Sequence, residues 1–174
     1  MTSALDSGRP FTGTEREVLE NTLDLNRSEL IRAVDGLSEG QARQRRVPSL
    51  TTPLSLVKHC AAAERIWFQR TLAGMRLDEC DGHASGGDGS FRVADEDTLA
   101  AAVTDYVAAC QRSRDIAARY RLDDVAEHHL VGAVSLRFIY VGMIAEVARH
   151  AGHADILTEQ IRAAASVIPD ERIG

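Results

Sequence analysis

Aromatic side chains make up only 5% of the chain, and there are just four prolines. Ala and Leu are abundant in their place. That balance favours helices over strands. Cysteine is also scarce. The three present, Cys60, Cys80 and Cys110, are odd in number and form no CxxC pair. This excludes a disulfide framework and fits a reducing compartment. Basic runs are missing too. The longest cluster is ARQRR, Ala42 to Arg46, in a chain of net charge −6 and pI near 5.5. Nothing here suits a phosphate backbone, so no nucleic-acid partner is expected. No apolar run approaches the roughly 20 residues that span a bilayer. The first residues, MTSALDSGRPFTG, lack the basic start and apolar centre of a signal peptide. A cytoplasmic protein with no membrane partner is expected. Serine-hydrolase elbows, P-loops and dinucleotide fingerprints are likewise absent.

What remains is a chain of 174 residues, 44% hydrophobic and 26% charged. That length suits one domain able to bury its own core. Residues 1–13 read as a flexible arm, 14–168 as a single domain and 169–174 as a tail. Thr14 and Glu17 fit a capping box that opens a first helix. Val18, Leu19, Leu23, Leu30, Ile31 and Val34 then recur at helical spacing. Ser38 and Gln41 fit a short extra turn. Thr52, Pro53 and Gly74 delimit a second helix as N-cap, first helical residue and left-handed stop. A third helix is expected from about Glu96 to Arg121, with Leu99, Val103, Tyr106, Val107 and Cys110 inward. A fourth is expected from Ser135, a plausible cap, to about Ala165. The segment from Met75 to Ala94 contains DGHASGGDGS and reads as a mobile loop that gates access. No strand pair stands out. The fold class is therefore all-α, a four-helix bundle whose long middle loops leave room for crossover connections.

The chemistry gathers in EVARHAGH, Glu146 to His153. Residues three and four apart share a helix face, so Glu146, His150 and His153 form one row, which Gly142 extends. His59 lies in KHCAAAER beside the buried stripe of the second helix. Bundle cores build metal sites from facing helices. His59 with Glu146 and His150 would make a His2Glu set, which suits Zn and similar divalent ions and leaves positions open. The bland alternative is a hydrogen-bonded core histidine and a surface Glu–His pair. Gly152, mid-helix, suggests close approach by a helix or ligand, or mere tolerance. His83, His128 and His129 fall in loops without partners at useful spacing. Cys60 reads as a small core residue.

Three stretches together resemble a known family: LSLVKHCAAAERIWFQRTLAG (54–74), VSLRFIYVGMIAEVARHAGHADIL (134–157) and DLNRSELIRAVDGLSEGQARQRRVPS (24–49). They resemble the DinB-like superfamily, and within it the mycothiol S-transferase branch, relatives of thiol-dependent maleylpyruvate isomerases. The resemblance implies a DinB-like four-helix bundle with a divalent metal at one end of the core. The ion would be Zn foremost, or Ni, Mn or Fe, held by His59, Glu146 and His150. It implies mycothiol as co-substrate and an electrophilic small molecule as acceptor, in a detoxifying transferase whose metal-held thiolate is the nucleophile. His153 is the catalytic candidate for taking the proton. Trp67 and Arg149 are the candidates for binding the thiol cofactor. A homodimer is expected from the habit of relatives. Gly142 and Ala145 depart from the pattern of many relatives, which carry a His and an acid there. The alternative function is a metal- or small-molecule-binding module without catalysis.

Overall fold

A computed structural model of the protein describes residues 12–166. Most of the expected arm and all of the expected tail lie outside these residues. Helix α1, Glu15–Val34, opens with the capping box read from the sequence: Thr14 accepts from the Glu17 amide, and the Glu17 carboxylate accepts from the Thr14 amide. The short α2, Glu39–Ala42, carries the same device at Ser38 and Gln41. Helix α3, Pro53–Glu64, starts at Thr52 with proline in its first turn. It continues as a wider π-helical segment, Arg65–Leu72, and stops at Gly74, whose φ of 67° favours glycine. Helix α4, Leu99–Ala117, is capped by Thr98. Helix α5, Leu136–Ser166, starts where Ser135 accepts from the Phe138 amide.

Cross-helix contacts fix the directions. Glu20 meets Tyr140 and Asn26 meets Ile144, so α1 and α5 run parallel. Lys58 pairs with Asp97 and Arg65 with Asp105, so α3 and α4 also run parallel. Arg27 of α1 reaches Glu64, while the start of α3 packs near Val34, so these two helices are antiparallel. The order is up, down, down, up. Two consecutive parallel helices require a long crossover, and residues 73–98 supply it. One core cluster joins Leu30, Leu54, Val57, Tyr106 and Leu157; the other joins Leu23, Phe68, Ile139, Met143 and Val147.

Several expectations are corrected. The linker before α5 holds an antiparallel hairpin, β1 (Val125–His128) and β2 (Gly132–Ser135), where no strand pair was expected. Its four-residue strands are too short for alternation to stand out. Helix α4 is shorter at both ends than Glu96 to Arg121, because Thr98 rather than an earlier residue caps it and a turn begins after Ala117. Val107 is 49% exposed rather than inward. The Gly-rich crossover packs onto the bundle through two 3₁₀ turns, Leu77–Glu79 and Gly87–Phe91. Ala84 and Ser90 are buried, Arg70 donates to the Ala84 carbonyl, and Arg65 grips Asp81. Gly82 lies so close to that guanidinium that an added Cβ would stand 2.6 Å from it.

Candidate metal centre

His59 leaves the second turn of α3, where the Thr52 cap and the buried Leu56 and Cys60 fix which face turns inward. Glu146 and His150 lie one turn apart on α5, anchored by Met143 and Val147 on the core side. The antiparallel crossing of these helices brings the three together. His59 Nε2 lies 3.0 Å from Glu146 Oε1, and His150 Nε2 lies 3.2 Å from the same oxygen. The two imidazoles meet edge to face, with centroids 4.6 Å apart. One donor atom from each of the three residues lies within 4.8 Å of the others. Hydrogen bonds from His150 and then His59 hold the Glu146 carboxyl far below the usual carboxylate range, against the burial that opposes ionisation.

These residues fit a divalent ion. Two imidazole nitrogens and one carboxylate oxygen form a borderline-soft set of the kind zinc accepts. Around an ion at ~2.1 Å, tetrahedral donors stand ~3.4 Å apart, so the two contacts to Glu146 Oε1 need only a small opening. Among the described residues no permanent cation is packed against Glu146 Oε1. Arg149 approaches the other oxygen at 3.4 Å from an exposed position. Among the described residues the buried His150 Nδ1 has no hydrogen-bond partner, and the ring's polar contact is through Nε2.

The crossover adds two residues that the sequence did not single out. Ser90 Oγ lies 2.8 Å from His59 Nδ1, and Phe91 stacks on the His59 ring at 4.1 Å and 17°. Both sit in the turn Gly87–Phe91, some thirty residues from His59 in sequence. A buried Ser in a Gly- and Asp-rich stretch carries no periodic signal, so pattern reading had no handle on it.

His153 stands at the exposed edge, its ring 5.5 Å from that of His150. It also lines a recess of about 260 Å³ with Val47, Ser49, Thr51, Ile156 and Leu157. Arg149 is at the rim. Trp67 is not in the cluster. It stacks on His128 at 4.6 Å, two turns further along its helix and against the hairpin. His128 is thereby buried rather than a loose linker residue. His83 is exposed and outside the site, and Cys60 is a buried core thiol. An added Cβ at Gly142 or Gly152 would meet nothing within 4 Å, so neither glycine marks a tight helix contact.

Residues 18–163 match the family model of mycothiol-S-transferase. The chain belongs to that family. A search of curated proteins returned no match. Among the described residues no helix is long and apolar enough to cross a membrane.

Proposed function

We propose that this chain is a metal-dependent thiol S-transferase that joins mycothiol to an electrophilic small molecule. The convergence of His59, Glu146 and His150, in a family named for mycothiol S-transfer, carries the reading. A divalent ion held by these three residues would supply a Lewis acid that favours the thiolate, the reactive form of a thiol. The side chains do the rest. His59 and His150 present their Nε2 atoms, and Glu146 offsets the positive charge. Core packing around Cys60, Met143 and Val147 keeps water from the inner side.

The recess beside His153 is mainly apolar and continues the α5 stripe of Glu146, His150, His153 and Leu157. It suits the carbon skeleton of the electrophile. In the transfer, the sulfur lone pair forms an S–C bond. The leaving group departs with the old bond pair, and the thiol proton passes to His153 Nδ1 or Nε2. Arg149, at the rim, is placed to meet polar groups of the thiol. The open space at Gly142, one turn before Glu146, leaves room for it.

The test uses protein purified without a histidine tag. Metal content is measured for the wild type and for His150→Ala, and mycothiol consumption is followed with a haloarene. The reading expects metal and turnover in the wild type and loss of both in the variant. Equal metal in the two proteins, or turnover that survives chelation, would sink it. Gly142 and Ala145, where many relatives carry polar side chains, favour a second reading, a binding module without catalysis. Tight metal binding with no turnover on any electrophile would select that one.

A further inference from the structure

The hydrogen bonds of His59 extend beyond the three ligands, and the role drawn from them rests on the metal centre proposed above. Ser90 has one hydroxyl proton, and its oxygen lies 2.7 Å from the Gly87 carbonyl oxygen in a geometry that donates to it. A carbonyl can only accept, so that bond uses the proton. The same Ser90 oxygen lies 2.8 Å from His59 Nδ1. Two lone pairs at that distance would repel, so Nδ1 must carry hydrogen and donate to Ser90. Nε2 is the atom that faces Glu146; in the metal-free chain it also donates, to Oε1 at 3.0 Å, and an ion that displaced that hydrogen would meet a neutral imidazole with hydrogen kept on Nδ1 and a lone pair on Nε2.

We propose that Ser90 is a positioning residue of the metal centre. By accepting the Nδ1 hydrogen of His59, it selects the tautomer whose Nε2 is ready to bind the ion. The Gly87 carbonyl, by occupying the serine proton, enforces the direction of the relay. Phe91, from the same turn, stacks on the ring and sets its plane. One 3₁₀ turn of the crossover thus controls both the protonated nitrogen and the orientation of a ligand on α3. Ser90 is only 2% exposed, so water does not compete for its oxygen. Partners that orient ligand histidines in this way are commonly worth about 10- to 100-fold in metal affinity.

The experiment titrates zinc into chelator-stripped, tag-free full chain for the wild type, Ser90→Ala and Ser90→Thr. Alongside, nitrogen-15 histidine NMR of the zinc-loaded wild type reports which His59 nitrogen carries hydrogen. Expected are zinc binding about 10- to 100-fold weaker in Ser90→Ala, near wild-type binding in Ser90→Thr, and a His59 with hydrogen on Nδ1 and zinc on Nε2. A Ser90→Ala protein that binds zinc as tightly as the wild type would overturn the role of Ser90 and leave the metal centre standing. A wild type that binds no zinc would overturn both together. Should Ser90→Ala not fold, the NMR decides alone: zinc on Nδ1, or hydrogen on Nε2, refutes the relay.

Discussion

Two glutamates face inward in this bundle, Glu64 on α3 and Glu146 on α5, and their company differs. Glu64 is fully buried and met by Arg27, whose Nε and Nη2 donate to its two oxygens at 2.8 and 2.6 Å. Asp24 takes the Arg27 Nη1 as well. A guanidinium is always charged and its planar fork matches a carboxylate. Arg114 also donates to Asp24, at 2.8 Å, so two guanidiniums balance two carboxylates and the cluster is electrically closed without help from outside. Glu146 is met instead by two imidazoles and keeps a quarter of its side chain exposed. Imidazoles are neutral metal ligands or weak bases, not fixed cations. The same residue type in the same fold is structural where its cation is built in and, on the function proposed above, receptive where two imidazoles stand in place of a fixed cation.

The contrast can be broken by exchange. Arg27→Met removes the built-in cation and leaves Glu64 charged in the core. Unfolding in denaturant should show a loss of about 3–5 kcal/mol, the cost of an unpaired buried charge. Zinc affinity, read on the fraction that remains folded, should be little changed. A mild effect on stability would mean Glu64 finds protons or water, and the closed reading would be wrong. The mirror experiment removes a ligand at the receptive end. For the wild type, zinc at a hundred times its Kd should add about 2.7 kcal/mol to unfolding stability. His150→Ala should lose that gain while its metal-free stability changes far less than in Arg27→Met. A zinc-dependent gain retained in full by the variant would move the site elsewhere.

A smaller effect tests the support the two regions share. Helix α3 carries both His59 and Glu64, and Thr52 caps it by accepting from the Ser55 amide at 3.0 Å. Thr52→Ala should cost about 1 kcal/mol of stability, measured by thermal or chemical unfolding. The smallest effect is in pH. Because the folded state depresses the Glu146 pKa below its ordinary 4.5, its ionised form contributes stability above that pH, and the contribution fades as pH falls through the folded value. In metal-free protein the stability gap between wild type and Glu146→Gln should therefore narrow steadily below pH 4.5. A gap that widens on acidification would contradict the assigned contacts. Partial exposure of the site keeps this effect modest.

Much of this was legible in the residues. The caps at Thr14, Ser38, Thr52 and Ser135, and the stop at Gly74, are local: each hydrogen bond closes within a few residues, so a short window of sequence contains the whole cause. Glu146 and His150 could be paired by the same logic, since one turn of helix separates them. His59 could be suspected from its place beside a buried stripe, and the family resemblance joined it to the other two. The hairpin was missed because Val125–His128 and Gly132–Ser135 each contribute only four residues, and their stability comes from pairing and from packing against Trp67.

The sequence by itself determined the helices, most of their inner faces and the Glu146–His150 pair, because periodicity and capping act over one or two turns; His59 joined that pair through its place beside a buried stripe and the family resemblance. Only the tertiary structure decided that α3 and α5 cross where Nε2 of His59 meets Glu146, that Arg27 closes on Glu64, that Trp67 turns to the hairpin, and that a Gly-rich crossover returns to place Ser90 and Phe91 on His59. Those contacts join residues 31 to 87 positions apart. Helix directions and loop closure set them, and neither is written in any local pattern.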